Sequence, residues 1–578
     1  MEEIRRIFEE SSGSEFSGFN SESESDSDDF SDISLNNTTN SESFDEIDNS
    51  SEDFRRNQWE NDLVGVDKEP FCGEEPGCTH ELTGDKDELD FFKLFFSDEI
   101  LNILVENTNL YAAYKGANDS KWREITLPEL KAWLGIRVAM SILYLPRYDQ
   151  YWSNDYLLGN LFIPTVMTRD RFDKIQQYFH ANKTWGRDLP DRGEPGHDRL
   201  LHVRPILDIL NQKCLQNYNP HQNTSVDEGM IAFRGRLGFR QYLPAKPTKY
   251  GIKVWVRADP ENGYLNEFQK QDYDVPSECK FIIIIYYFFF LQIYTGRQGN
   301  RGQPEIGLGA RVVLDLCENI SGVNHIVNMD NYFSSPQLFE ELLDMNIYAR
   351  GTVRSNRRGY PSNLLPNNCV KVQGENRMVQ KGEMIAVAWK DKKVIHFLST
   401  AEDPASAIGY TNRKQKTGEI LRVSCPVTVS EYNAYMNGVD RADQLRNEYC
   451  TYRTSKKWWL YVFWFLFDVA KCNAFICMKE SQNHILQSKS GRVLPRTLMD
   501  FTMNLSKRLI GTYRNGRKRK LTSNVDPQGT SHLPRKTVKA GRCRQCSKNG
   551  QRRESRVQCS GCSVSLCIDC FEPYHQHL

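Results

Sequence analysis

Residues 225–256 read SVDEGMIAFRGRLGFRQYLPAKPTKYGIKVWV and decide the predicted fold. They contain two β-rich segments separated by glycines, prolines and charged residues, which is the pattern of consecutive strands joined by a turn. The chain then continues with a strand (GYLNEF), a helix (GARVVLDLCENI), a strand (NHIVNMDNYF), a helix (SPQLFEELLDMN) and a strand (YARGTVR). This order of elements predicts an α/β core built on a mixed sheet.

Helices are predicted on both sides of this core. On the N-terminal side, Thr168 is a predicted N-cap, and Phe172, Ile175 and Phe179 recur on one face of the following helix. On the C-terminal side, EYNAYMNGVDRADQLRNEY and KKWWLYVFWFLFDVAKCNAFICMK are both predicted helices. The polar segment between the core and these helices contains two predicted strands, MIAVAWK and KVIHFLST, and has the character of an insertion.

Three segments of the core carry aspartates that are candidate metal ligands. Asp227 lies inside an apolar strand, Asp330 follows the strand HIVNM, and Asp440 and Asp443 are three residues apart on one helical face. Carboxylates brought together repel one another unless a cation lies among them, and Mg²⁺ prefers oxygen ligands. Two such ions can activate a water or a 3′-hydroxyl for attack on a phosphodiester. Spacing alone leaves scattered structural acids as the alternative interpretation.

The same segments resemble those of piggyBac transposases. The stretch 225–256 is similar to the first catalytic block of that family, MDNYFSS to the second and MNGVDRADQL to the third. KKWWLYVFWFLFDVAKCNAFI resembles the helix that follows the third block. The blocks occur in the family's order, and together they are far more specific than any one of them alone.

The resemblance implies a multidomain α/β fold with an RNase H-like catalytic core. The implied boundaries are a helical dimerisation and DNA-binding domain at 89–220 and 447–510, the catalytic core at 221–351 and 426–446, an insertion domain at 352–425, a basic linker at 511–541 and a cysteine-rich zinc domain at 542–578.

By match to the family motifs, Asp227, Asp330 and Asp440 would form the catalytic triad that binds two Mg²⁺ ions, and Asp443 would be an additional required acid. The implied activity is that of a DNA transposase, which cuts and joins DNA strands. Such an enzyme would recognise the terminal repeats of its element, insert at TTAA sites, and act in the nucleus as a homodimer.

Basic residues near the first block are candidates for neutralising DNA phosphates. They are Arg234, Arg236, Lys246, Lys249 and Lys253. A second group, Lys456 and Lys457, precedes Trp458, which matches a tryptophan next to the family's active site. The alternatives are a solvated surface for the basic residues and core packing for the tryptophan.

The C-terminal segment has the spacing of two zinc sites. Three CxxC pairs and two histidines provide eight ligands, enough for two tetrahedral Zn²⁺ ions. An interleaved pairing assigns Cys543, Cys546, Cys567 and Cys570 to one ion, and Cys559, Cys562, His575 and His577 to the other. Cross-brace zinc modules also occur in ubiquitin ligases and histone readers, so the ligands alone do not name a partner.

Charge is distributed unevenly along the chain. Residues 1–60 carry 18 Asp and Glu against 4 Arg, so the remainder carries +13 (−1 + 14). An acidic arm on a basic body is typical of nucleic-acid binders. The acidic region, taken as 1–88, is predicted to be disordered, because its Ser-Asp-Glu stretch has little to bury. The basic cluster RNGRKRK at 514–520 has the composition of a nuclear-localisation signal or of a DNA-contacting cluster.

One segment departs from the family pattern. Residues 270–292, KQDYDVPSECKFIIIIYYFFFLQ, have no counterpart in it, and we interpret them as a translated intron. Their apolar run is too short to span a bilayer, and the charged start of the chain has no signal peptide, so no membrane association and an intracellular setting are expected. The complete aspartate set favours an active transposase, whereas the insert favours the alternative of a domesticated DNA-binding protein without transposition activity.

Overall fold

The computed structural model describes residues 58–116, 119–155, 157–186, 190, 197–243, 248–268, 307–404, 408–414, 417–517 and 532–575. Lys246, His577, the insert 270–292 and residues 1–57 of the acidic region therefore lie outside the described residues. The cluster at 514–520 is described only as far as Arg517.

The predicted helices are present, except that EYNAYMNGVDRADQLRNEY is divided into two helices between Tyr435 and Gly438. In chain order they are α1 (Glu88–Phe95), α2 (Asp98–Lys115), α3 (Leu127–Ile142), α4 (Ile163–Val166), α5 (Arg169–Tyr178), α6 (Arg204–Gln216), α7 (Leu308–Cys317), α8 (Pro336–Asp344), α9 (Val427–Tyr435), α10 (Gly438–Glu448), α11 (Trp458–Glu480), α12 (Leu498–Ile510), α13 (Arg544–Lys548) and α14 (Ile568–His575). The Thr168 hydroxyl accepts from the Arg171 N–H at the start of α5, so the predicted N-cap is confirmed.

The strands include several that the sequence did not indicate. In chain order they are β1 (Gly77–Cys78), β2 (Tyr218–Asn219), β3 (Asn223–Ala232), β4 (Gln241–Tyr242), β5 (Tyr250–Ala258), β6 (Leu265–Phe268), β7 (Ile326–Met329), β8 (Tyr348–Val353), β9 (Asn376–Lys381), β10 (Met384–Lys390), β11 (Val394–Ser399), β12 (Ile408–Lys414), β13 (Ile420–Pro426), β14 (Leu486–Gln487), β15 (Val493–Leu494), β16 (Pro534–Arg542) and β17 (Glu554–Cys559).

A central mixed sheet organises the core, as predicted. Its strands lie in the order β4-β5-β3-β7-β8-β11-β10-β9, with β6 paired to β5. β3 runs parallel to β7, and β7 runs parallel to β8, whereas β5 is antiparallel to both β3 and β6. The strands β7 and β8 are reached through helices α7 and α8, because parallel neighbours need a crossover connection.

The strands of the predicted insertion continue this same sheet. β11 pairs with β8 in antiparallel register, and β10 and β9 follow it. Residues 376–399 therefore extend the central sheet rather than folding away from it, and only β12 and β13 form a separate hairpin. The sequence could not indicate this continuity, because strand pairing is a long-range property that local alternation does not encode.

A helical body is built around α11. This helix packs against α1, α6 and α12, and α12 packs against α3. By length and composition α11 could cross a membrane, but its apolar window is 100% buried inside the protein, as in the central helix of a folded core. Its charged residues Asp468 and Lys471 are 1% and 0% exposed and form an ion pair with each other, which makes their burial tolerable.

Residues 58–80 form an extended strap, although they fall in the region predicted to be disordered. Glu60 and Gln380 of β9 form a β-bridge, and further along the Glu69 N–H donates to the Tyr348 hydroxyl at 3.0 Å. The strap therefore supplies backbone hydrogen bonds to the sheet. The prediction failed here because polar composition does not reveal pairing with a distant strand.

Candidate active site and zinc centres

Two of the candidate aspartates lie side by side on neighbouring strands. Val226 of β3 is paired with Met329 of β7 in parallel register, and each is followed directly by an aspartate, Asp227 and Asp330. Neighbouring strands are separated by about 4.8 Å. Both residues are half-buried, so they remain partly accessible to solvent.

The N-terminus of α10 lies directly on the sheet beside them. A Cβ atom at Gly438 would lie 2.2 Å from the Ser225 hydroxyl oxygen and 3.1 Å from the Ala258 carbonyl oxygen, so only glycine permits this approach. Ser225 is two residues before Asp227 on β3. Asp440 is exposed and lies in the first turn of α10, where the helix dipole favours a negative charge.

Tyr432 of α9 shows that the three aspartates share one region. Burial raises the pKa of its hydroxyl, and the negative charges of Asp330, Asp227 and Asp440 raise that pKa further. One buried phenol is therefore within electrostatic range of all three carboxylates. By strand register Asp227 and Asp330 are neighbours, and Asp440 lies in the first turn of the helix whose Gly438 packs against Ser225.

Asp443 has a different environment. Its carboxylate accepts from Arg446 at 2.9 Å, and Arg446 is only 5% exposed. A Cβ atom at Gly229 would lie 3.8 Å from the Asp443 carboxylate, so this residue faces β3 on the same side as Asp227. Asp443 is close to the site, and its charge is balanced by a buried arginine.

A buried polar network connects the site to the rest of the sheet. Glu402 accepts from Arg350 of β8 at 2.5 Å and from the Thr428 hydroxyl, in the first turn of α9, at 2.9 Å. Arg350 also donates to Asn328 of β7 at 2.9 Å. The network joins the strand that ends at Asp330 to the helix that carries Tyr432, and so fixes their relative position.

The predicted DNA-contacting residues differ in their exposure to solvent. Arg234, Arg236, Lys249 and Lys456 are exposed, which suits contact with phosphates. The loop that carries Arg234 and Arg236 follows β3 directly and contributes Phe239, whose ring packs edge-on against Trp458 at 5.4 Å. This contact brings the two predicted basic groups into one region of the surface.

The side chains of Lys253 and Trp458 make contacts within the chain. The Lys253 ammonium lies 3.7 Å from a Glu228 carboxylate oxygen and 3.7 Å from the centre of the Trp255 ring. Trp458 is half-buried, with its ring edge-on to His202 at 6.0 Å as well as to Phe239. Packing therefore accounts for part of both side chains; it was the alternative interpretation for Trp458, whereas the alternative for Lys253 was a solvated surface.

The first cysteine group has the geometry of a zinc site. Sγ of Cys546 lies 3.7 Å from Cys567 and 3.5 Å from Cys570, and Cys543 lies 3.7 Å from Cys567. Four sulfurs at 2.3 Å from a central zinc ion would be separated by about 3.8 Å along the edges of the tetrahedron. The side chains present therefore fit a Zn²⁺ ion, and they are the four that the interleaved pairing assigned together.

The second group differs from the prediction in its fourth member. Cys559, Cys562 and His575 are joined by His532, with His532 Nδ1 3.3 Å from Cys559 Sγ and Cys562 Sγ 3.3 Å from His575 Nε2. The predicted ligand His577 lies outside the described residues. His575 Nδ1 bonds the Phe571 carbonyl, which orients the ring with Nε2 towards the cluster.

The hairpin β16–β17 explains the position of His532. Pro534 is paired with Cys559 in antiparallel register, so a residue just before β16 lies next to the end of β17. Burial alone would raise the pKa of the Cys559 thiol, but hydrogen bonds from the Cys562 backbone and from His532 lower it to about 6. A thiol that ionises readily is suited to binding a metal ion.

Comparison with known proteins identifies the chain. A family model described as Transposase IS4 matches residues 87–475, more than half of the 578-residue chain. The chain belongs to this transposase family. The match covers α1 to most of α11, and it therefore includes all three aspartates of the candidate triad.

The relatives of this transposase include piggyBac-derived proteins. PiggyBac transposable element-derived protein 3 of Homo sapiens is 26% identical over 500 residues, which are 84% of this chain and 76% of the relative. PiggyBac transposable element-derived protein 5 of Homo sapiens is 28% identical over 425 residues, or 70% of this chain and 73% of the relative.

The solved structure of a piggyBac transposase synaptic complex with hairpin DNA, determined by cryo-EM, matches with a TM-score of 0.61. Its sequence identity is 26%, and the match covers 86% of this chain and 98% of that chain. The resemblance to piggyBac transposases seen in the sequence is confirmed. A transposase of the DDE type implies a divalent metal ion, and carboxylates placed as they are here are suitable ligands for one.

His532 and Tyr432 are two residues of these sites that sequence reasoning missed. His532 lies 11 residues before the first cysteine of the module, in a segment with no metal-binding motif. Tyr432 lies in a predicted helix, where a tyrosine ordinarily indicates core packing. Only an attempt to place β16 and β17 in register could have indicated His532.

Proposed function

We propose that this chain is a piggyBac-type DNA transposase in which Asp227, Asp330 and Asp440 hold two Mg²⁺ ions that assist DNA cleavage and strand transfer. The observation that carries the proposal is the placement of Asp227 and Asp330 on the adjacent parallel strands β3 and β7, beside the N-terminal turn of α10 that carries Asp440. The family supports the reaction class, since it is a transposase family.

The order of the central strands supports an RNase H-like core. β6, β5 and β3 are successive antiparallel neighbours, and β3, β7 and β8 are successive parallel neighbours. Five strands in this arrangement, with one acid within the first strand and another directly after the fourth in chain order, are consistent with what the resemblance implies. The later strands β9 to β11 are then an extension of that core.

In this proposal, one set of residues binds the metal ions and another set binds the DNA. When bound, the pair of Mg²⁺ ions supplies a Lewis acid that activates the attacking oxygen and stabilises the leaving oxygen. Asp227 and Asp330 provide oxygen ligands from the rigid sheet, and Asp440 provides one from α10. Asp443 acts through Arg446, as a positioning residue for α10.

Exposed basic residues would bind the DNA backbone near this centre. Arg234, Arg236, Lys249 and Lys456 can neutralise phosphates without reading sequence. The zinc module would recognise the terminal repeats, since its two metal clusters organise a short basic segment. Insertion at TTAA, action as a homodimer and a nuclear location are parts of the same proposal and come from the resemblance.

The proposal is tested by excision of a marked element, flanked by the repeats that border this gene, from a plasmid in cells. We expect Asp330→Asn to abolish excision while binding of the repeats is retained. A matched control is Asp344→Asn, which changes an acid at the end of α8 without touching the site, and which we expect to leave excision unchanged. Full excision by Asp330→Asn would refute the assignment of the triad.

A second candidate function is that of a domesticated DNA-binding protein. It is favoured by the insert 270–292, which directly follows β6, and by the names of the relatives, which are transposable element-derived proteins. The same assay with residues 270–292 deleted separates the two. Excision by the deleted form alone means an intact transposase interrupted by the insert, and no excision by either form, with repeat binding retained, favours the second candidate.

A further inference from the structure

A small cavity in the helical body is lined by polar groups that lack partners. It has a volume of about 20 Å³ and lies between α3, α5 and α11, beside the loop that follows α10. Arg137 Nε, Trp133 Nε1 and Gln176 Oε1 are buried, and none of these three atoms has a hydrogen-bond partner within the described part of the chain. All three residues line the cavity.

Arg137 is the charged member of these three groups, and its buried N–H donors need hydrogen-bond acceptors. It is 4% exposed, and its one long hydrogen bond is from Nη2 to the Thr451 carbonyl at 3.5 Å. The guanidinium stacks on Trp464 with 4.6 Å to the ring centre, so its face is covered. Its N–H bonds lie in the plane of the group, and the ring cannot satisfy them.

The charges around the cavity are positive. Burial, followed by the charge of Arg453, lowers the pKa of Arg137 to about 9, and Asp468 opposes this shift. Asp468 is already bound to Lys471 at 2.8 Å and to the Thr451 N–H at 2.9 Å. Arg137 and Arg453 both line the cavity, and the charge of Asp468, which acts on Arg137, is balanced by the Lys471 ammonium group.

The geometry points to a binding site for one halide ion, chloride under physiological conditions, between Arg137, Trp133 and Gln176. Arg137 Nε–H and Trp133 Nε1–H are donors only, and a 180° rotation of the Gln176 amide puts its NH₂ group, a third donor, in the place of the unpartnered Oε1. A cavity of 20 Å³ has room for one water-sized particle and excludes sulfate or gluconate. An anion there satisfies the donors and offsets the buried charge.

A halide bound at this site would stabilise the loop that follows α10, which leads into predicted DNA-contacting residues. Arg453 and Ser455 form part of the cavity wall, and the same loop continues into Lys456, Lys457 and α11. The bound halide would connect that loop to α3. This inference concerns the stability of the helical body and does not depend on the proposed transposition.

The test compares thermal unfolding of the full chain in chloride, bromide and gluconate at one ionic strength. We expect chloride and bromide to raise Tm by roughly 2 °C or more relative to gluconate. Trp133→Phe removes the indole donor and retains an aromatic ring, so it should lose this difference. Trp152→Phe is the matched control, since it removes an indole donor bonded to the Met167 carbonyl in the same helical body.

Two further measurements keep the outcome decisive. Gln176→Glu places a carboxylate in the wall and should abolish the halide effect even if Trp133→Phe folds poorly. Crystals containing bromide should show an anomalous peak in the cavity. An ordered water in place of that peak, or an equal halide effect in wild type and Gln176→Glu, would overturn the proposal.

Discussion

Replacement of His532 by alanine should weaken zinc binding at the second of the two candidate zinc sites. The structure puts His532 Nδ1 3.3 Å from Cys559 Sγ, in a group completed by Cys562 and His575. Structural zinc sites in small peptides are worth about 10 to 16 kcal/mol, so one ligand in four accounts for roughly 3 to 4 kcal/mol. That loss corresponds to a zinc affinity about 100- to 1,000-fold weaker at the affected site.

The assay is a zinc titration of the full chain against a chromophoric chelator at neutral pH, with total zinc measured by mass spectrometry. Wild type should retain two zinc ions, and His532→Ala should retain one tightly and release the other early. His577→Ala is the control and should behave like wild type, because the group of four is complete without it. Early release from His577→Ala, with His532→Ala unchanged, would refute the assignment.

Three other substitutions test the region of the aspartates and the buried charges. Gly438→Ala should destabilise the protein by about 1 to 3 kcal/mol in chemical unfolding and reduce excision, because the added methyl collides with the sheet. The control is Gly238→Ala, whose added methyl meets open space and should change neither stability nor excision. Glu402→Gln leaves the buried Arg350 without its carboxylate, so urea unfolding should show a loss of about 3 to 5 kcal/mol, and wild-type stability would contradict the network. Burial, with a contribution from Lys457, lowers the pKa of His202 to about 4, below the unfolded value of about 6.5, so stability should fall as the pH is lowered from 6.5 to 4. His202→Phe should make Tm less dependent on pH across that interval, and an unchanged slope would contradict the prediction.

Much of the secondary structure could be predicted from the sequence. β-Rich composition between turn residues located β3 and β5, and helical periodicity located α5, where Phe172 and Ile175 are fully buried. Thr168 predicted the start of that helix, because capping depends on residues only three apart. Such features depend only on residues that are close together in the sequence, so the sequence alone reveals them.

The candidate sites were predictable only in part. The sequence placed Asp330 at a strand end and Asp440 on a helix, but their meeting with Asp227 depends on the parallel pairing of β3 with β7 and on the packing of Gly438. Arg350 and Glu402 are 52 residues apart and gave no sequence signal of their contact. Long-range pairing of this kind follows from the whole fold.

The zinc module separates what the sequence indicates from what only the tertiary structure decides. The sequence by itself marked six cysteines in CxxC pairs as candidate metal ligands, because the spacing of each pair fits one ion. Only the tertiary structure decided that His532 completes the second group, since the antiparallel register of Pro534 with Cys559 brings it there. A ligand within a short motif is fixed by local geometry, whereas a ligand delivered by a strand is fixed by the hydrogen-bonded register of its partner.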